Sequence, residues 1–384
     1  MRVLHCPTDT GGNPGGLSRA ERKVGLDSWS ITFRQSYFDY EFDEVLWQNK
    51  QNYITGELKR WSLLLRAMRD FDVIHFNFGR SIMPHWISQE TLRRNIKNPF
   101  LRRLYDAYAY FFELKDIPLL RKAGKGIVVT YQGSDARQVG YCRENFDITF
   151  ANEPEYEHYL PENDAHRRRQ IATFAKYADR IYALNPDLLR VLPQHARFMP
   201  YAHIDLNDWR ISPERGYPQN PSPLIVHAPT HRHIKGTPYI LDAVNRIKAE
   251  GVAFEFMLVE GLSNKEARKL YEKADLLVDQ LLTGWYGGLA VEFMALGKPV
   301  ICYIRQDDLV FIPEEMKKEL PIINAIPATI YEVLKEWLIR RRNELAEKGR
   351  IGRVYVEKWH DPLKIAKELK SEYESITVCK SKPR

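Results

Sequence analysis

The 384-residue chain has no run of about 18 uncharged apolar residues, which argues against an ordinary transmembrane helix. Met1 to Pro7 is too short and polar for a secretory signal and reads as a first β-strand. Cysteine is scarce: Cys6, Cys142, Cys302 and Cys379 are scattered, and no two form a Cys-x-x-Cys pair. That spacing argues against a zinc site or a disulfide framework and fits reduced thiols in a cytoplasm. Gly11, Gly12, Gly15 and Gly16 do not space as Gly-x-Gly-x-x-Gly, and no suitable acid ends a second strand. A dinucleotide cofactor is therefore poorly supported.

What is present suits a soluble globular protein. Hydrophobic residues are 44% and charged residues 28%, and the length allows two separate cores. The net charge of +7 suggests anionic partners: nucleotides, phospholipid surfaces or nucleic acid. No recognisable nucleic-acid module accompanies the charge, so no nucleic-acid partner is expected. The 21 Tyr and 8 Trp suit sugar stacking or membrane contact as well as ordinary core packing.

Strand-like and helix-like segments alternate. Val3–Cys6, residues 72–76, 126–131 and 180–184 read as strands, with a loop over Thr10–Gly16 and a helix over Leu17–Val24. Residues 210–223 hold four prolines and read as a linker. A second alternation follows: strands at 224–228, 254–259 and 276–279, helices at 238–250 and 265–273. The expectation is an α/β fold of two Rossmann-like, doubly wound domains facing a central cleft, with ligands at the C-terminal strand ends. The N-terminal domain would span 1–209 and the C-terminal one 224–355. Residues 356–384 would hold a helix over 361–375 and a disordered tail from Cys379.

The segment Gly284-Trp285-Tyr286-Gly287-Gly288 lies between an apolar run and a helix expected to begin near Gly288. Free N–H groups and the positive dipole end make such a turn an anion site. Glu292, one turn into that helix, is placed to accept hydrogen bonds from sugar hydroxyls. Arg232 and Lys235, in a loop after a strand, offer a bidentate and a point charge for a diphosphate. His231 and His233 lack acidic or Cys partners nearby, so no metal site is expected.

These residues resemble the retaining GT-B glycosyltransferases. The likeness is carried by His227-Ala228-Pro229-Thr230-His231-Arg232-His233-Ile234-Lys235-Gly236, by Gly284–Val300, by Tyr201-Ala202-His203-Ile204-Asp205 and by Tyr355-Val356-Glu357-Lys358-Trp359. The resemblance implies a nucleotide-diphosphate-sugar donor with Glu292 on the ribose, and Arg232, Lys235, Gly287 and Gly288 on the diphosphate. It places the loop containing Gly12 and Gly16 over the donor phosphates, a plain flexible loop being the other reading. Of the family's two glutamates with seven residues between them, the second matches Glu292 and the first falls at Gly284. It implies a glycan or lipid-linked acceptor, with no metal and no cofactor beyond the donor.

His75 and Asp135 follow or end N-terminal strands and are the candidate catalytic residues, Asp135 as a base, on what the resemblance makes the acceptor side. Each has an alternative: a structural histidine, and a helix N-cap. Residues 93–125 interleave Lys and Arg with Tyr105, Tyr108, Tyr110, Phe111 and Phe112. Such a stretch fits either an anionic membrane surface, as at a cytoplasmic inner face, or a helix packing its aromatics inward.

Overall fold

Short apolar runs buried on both faces build two parallel sheets. The computed structural model describes residues 1–47, 53–85, 96–154, 161–210 and 222–381. The first sheet contains β1 (Arg2–Cys6), β2 (Asp27–Thr32), β3 (Glu44–Val45), β4 (Val73–Asn77), β5 (Gly126–Tyr131), β6 (Arg180–Ala183) and β7 (Arg197–Phe198). Its seven strands run in the order β3-β2-β1-β4-β5-β6-β7. The second contains β8 (Leu224–His227), β9 (Glu255–Leu258), β10 (Leu276–Val278), β11 (Val300–Cys302) and β12 (Ile323–Asn324), ordered β12-β11-β10-β8-β9. All strand pairings among the described residues are parallel, and helices cover both sheets, as the patterning predicts for strands without a solvated face.

Three local expectations need correction. Asn13–Gly16 is not loop but the first turn of helix Asn13–Lys23. Pro14 suits a first helical turn, where its missing N–H is not needed. Gly16 lets that helix touch the backbone before the second sheet: a Cβ there would lie 2.4 Å from the His203 carbonyl oxygen. Arg232–Lys235 is one helical turn rather than a loop, closed by Gly236 at φ +75°. Helix Pro362–Ser381 runs through Cys379, past its expected end, and residues 382–384 lie outside the described residues. Most of the expected linker, 211–221, lies outside them too.

The C-terminal helix returns to the first sheet through a buried polar chain. Tyr373 Oη donates to Glu21 Oε1 (2.9 Å), so it accepts from His75 Nδ1 (2.7 Å). His75 Nε2 then accepts from Thr130 Oγ1 at 2.7 Å. Glu21 Oε2 also meets His5 Nε2 at 2.8 Å and Ser28 Oγ at 2.6 Å. Burial holds the His75 pKa well below its usual value, so the ring is neutral.

A second chain joins the halves. His360 Nδ1 donates to the Tyr201 carbonyl (3.0 Å), leaving Nε2 to accept from Tyr286 Oη (2.8 Å). Burial pushes this ring down to about 3, again neutral. Arg190 pairs with Asp308 at 2.5 Å, and the Asn264 amide donates to the Phe38 carbonyl at 2.8 Å.

Tyr373→Phe removes one hydroxyl and leaves His75 Nδ1 and Glu21 each short of a buried partner. The expected loss is about 1–3 kcal/mol in urea unfolding, with nucleotide binding unchanged. A variant as stable as wild type would contradict this description of the chain.

Candidate functional site

Strand ends from both sheets converge on a cleft of about 350 Å³. Thr10 follows β1, Gln132 follows β5, Lys235 follows β8 and Gln280 follows β10. The wall nearest the second sheet is built by Asp279, the residue after β10. Its buried carboxylate accepts the Gly287 amide (2.8 Å) through Oδ2, and Oδ1 lies 3.3 Å from Lys235 Nζ. Gln280 binds both Lys235 and the Trp285 carbonyl. Two adjacent side chains thus pin the lysine and the glycine turn to one strand end.

Helix Gly288–Ala295 starts where that turn stops, and Gly288 and Glu292 both line the cleft. The first N–H groups of such a helix have no partner within it. Glu292, 3% exposed, accepts from Asn264 Nδ2 at 3.1 Å. His203 Nε2 lies 3.4 Å from Glu292 Oε1, and a Cβ on Gly288 would lie 3.2 Å from the His203 ring. Among the described residues, both ring nitrogens of buried His203 lack a hydrogen-bond partner, and the ring lines the cleft. Such orphaned buried atoms mark a place where a polar ligand is expected.

Lys235, Gly287, Gly288 and Glu292 therefore share one wall. The other candidates stand elsewhere. Arg232 is not among the cleft-lining residues; its guanidinium makes a bidentate pair with Glu260 (2.9 and 2.6 Å) at the rim. Gly12 is a packing position: it has φ +66°, and a Cβ would lie 2.6 Å from the Tyr40 ring. Gly16 packs on His203, as above, and of the four glycines in this segment only Gly11 lines the cleft. His75 is sealed in the polar chain beneath helix Pro362–Ser381 and does not reach the cleft.

Asp135 caps a turn rather than a helix. Its carboxylate accepts the Gln132 amide at 3.1 Å and the Gly133 amide at 2.6 Å, presenting Gln132, Gly133 and Ser134 to the cleft. Burial pushes its pKa up to about 6, opposed by those amides. Asp279, His203, Tyr40 and Asn264 were not anticipated. In sequence Asp279 reads as the end of an apolar run, and His203 lies within Tyr201-Ala202-His203-Ile204-Asp205. Nothing in the sequence distinguished Tyr40 or Asn264.

Gly284 is required by its surroundings. It has φ +79°, and a Cβ would lie 2.6 Å from Arg305 Nη1. Arg305 is fixed by Asp308 (2.9 Å), by the Ile148 carbonyl (3.1 Å) and by the Phe146 ring 3.6 Å away.

No family model and no curated protein matches the chain. Solved structures do. HepE from Anabaena, in complex with UDP-glucose, superposes with TM-score 0.60 at 11% identity over 98% of this chain and 100% of that one. Sucrose-phosphate synthase from Thermosynechococcus elongatus gives 0.58 at 14% over 99% and 100%. The catalytic domain of starch synthase IV from Arabidopsis thaliana, bound to ADP and acarbose, gives 0.55 at 12% over 98% and 99%. The chain has the GT-B fold.

Gly284→Glu places an L side chain at a left-handed backbone and against Arg305. The backbone alone costs about 1–2 kcal/mol, so chemical denaturation is expected to show at least that loss. Unchanged stability would mean that Arg305 does not hold this position closed.

Proposed function

We propose that the chain is a retaining glycosyltransferase. It moves a hexose from a nucleotide-diphosphate sugar to a glycan or lipid-linked acceptor without a metal, in surface polysaccharide synthesis. The observation that carries the proposal is the single cleft wall formed by Lys235, the Gly287–Gly288 helix start and Glu292. Lys235 and the helix amides would meet the diphosphate and stabilise charge gathering on the leaving nucleotide, a contribution on the order of 3 kcal/mol per donor. Glu292 would accept ribose hydroxyls, and His203 lies within reach of both groups. Arg232 would join only by leaving Glu260. Retention of configuration rests on the family resemblance. That HepE was solved with UDP-glucose and starch synthase IV with ADP supports a nucleotide donor here.

Thermal-shift screening against UDP, GDP, ADP and CMP tests this reading. One nucleoside diphosphate should raise the melting temperature. Lys235→Ala should weaken it about ten- to hundredfold, the loss of one charge-assisted hydrogen bond of about 1.5–3 kcal/mol. If no nucleotide shifts the transition, the proposal fails. Product analysis with and without an acceptor then separates transfer from the alternatives. A changed sugar without acceptor would indicate a nucleotide-sugar epimerase; binding without turnover would indicate a non-catalytic subunit.

Anionic membrane association at the cytoplasmic face belongs to the same proposal. In the described part of the basic-aromatic stretch, helix Pro99–Phe112 exposes Phe100, Leu101, Leu104 and Phe111. Helix Tyr53–Asp70 exposes Ile54, Leu58 and Leu65. Residues at i, i+4 and i+11 line up on each helix, and Trp61 Nε1 bonds Tyr108 Oη (2.9 Å) between the two. Lys97, Arg102, Arg103 and Lys115, on or beside helix Pro99–Phe112, are exposed. No described helix is long and apolar enough to cross a membrane, so a surface seat is the fitting geometry. Flotation should show binding to vesicles containing anionic phospholipid, and Leu58→Glu with Leu104→Glu should abolish it. Equal recovery with uncharged and anionic vesicles would overturn the charge-matched reading.

A further inference from the structure

A second cavity, of about 310 Å³, opens beside the donor cleft, and Thr10 lines both. Its walls follow the C-terminal ends of β1, β2 and β4, at Pro7–Thr10, Thr32–Ser36 and Arg80–His85. In an open parallel sheet this is the edge where ligands sit. Three arginines line it, Arg34, Arg60 and Arg80, against one carboxylate, Asp9.

The three arginines are not equivalent. Arg60 is neutralised: it pairs with Glu57 at 2.9 Å and donates to the Ile82 carbonyl at 2.5 Å. Arg34 stacks 4.3 Å above the Trp47 ring and has no ion pair among the described residues. Arg80 is partly buried, 5.2 Å above the Phe78 ring, and also has neither a hydrogen bond nor an ion pair among them. The nearby acids are engaged. Asp135 serves the Gln132 and Gly133 amides, and Asp9 accepts the Ser36 amide at 2.5 Å. Burial lowers the pKa of Arg80, with Asp135 opposing. A guanidinium short of both water and a counter-ion is destabilising until an anion arrives.

We propose that this cavity is the acceptor pocket and that Arg80, with Arg34, reads an anionic group on the acceptor, a phosphate or a carboxylate. This rests on the transferase reading and adds the acceptor's chemical class to it. Guanidinium forks favour such groups because two parallel N–H donors match two oxygens. Thr10, shared by both cavities, would mark where acceptor and donor meet.

The test uses the full chain saturated with the nucleoside diphosphate that stabilises it, so that the donor site is filled. Inorganic phosphate, acetate and glucose are titrated by calorimetry into wild type, Arg80→Gln and Arg80→Lys. Wild type should bind phosphate or acetate at least tenfold more tightly than glucose. Binding of phosphate alone assigns a phosphate-bearing acceptor; binding of both assigns any anion. Arg80→Gln should lose at least tenfold of that affinity, Arg80→Lys less, and nucleotide affinity should stay within twofold. Without anion, Arg80→Gln should melt at or above wild type, because it removes an uncompensated charge. Anion binding unchanged in Arg80→Gln, or no anion binding by wild type, overturns the proposal. In either case an intact nucleotide response leaves the donor-site reading standing.

Discussion

The buried carboxylate of Asp279 is the constraint on which the candidate site depends. It ends β10 and holds two groups that bear on the cleft: the Gly287 amide at 2.8 Å and Lys235 Nζ at 3.3 Å. A buried carboxylate needs such partners to remain charged. The partners are thereby placed beside the start of helix Gly288–Ala295, where the dipole also favours an anion. One internal acid thus shapes the turn, orients the lysine and fixes the helix entry. A ligand diphosphate there would share Lys235 with Asp279 rather than meet a free cation, so the affinity of the site reflects a competition between two anions.

The other half of the site is held by contacts between the two sheets. His360 is the pivot: it receives Tyr286, from the glycine-rich turn, and donates to Tyr201, from the segment before the second sheet. Its neutrality follows from burial, and with it the direction of both hydrogen bonds. His203 sits two residues beyond Tyr201, against Gly288 and Glu292. The turn, the inter-sheet junction and the unpartnered imidazole are therefore mechanically linked.

Much of the fold was legible because its central strands are continuous apolar runs. Ile127–Val129 and Leu276–Val278 are wholly buried, and such runs announce a parallel sheet. β2 escaped notice because Ser28 and Ser30 face inward, where Glu21 and Asp43 satisfy them. In the candidate site, the placing of the glycine turn and Glu292 at the start of one helix was readable from local pattern. The roles of His75 and Arg232 were not, because each is decided by a distant partner. Tyr373 lies 298 residues from His75, and Glu260 lies 28 from Arg232. A strand-end histidine and a basic loop look the same in sequence whether they face a ligand or a neighbour. Gly284 is the reverse case: an apparent departure from a motif is explained by φ +79° and the fixed guanidinium of Arg305.

The central claim is that a diphosphate binds between Lys235 and the start of helix Gly288–Ala295. The most direct measurement is a crystal structure of the chain with the nucleoside diphosphate that stabilises it most. The account predicts phosphate oxygens within hydrogen-bond distance of Lys235 Nζ and the Gly288 amide, with the ribose hydroxyls on Glu292. Phosphates seated on Arg232 outside the cleft, or in the arginine-lined cavity beyond Thr10, would contradict it.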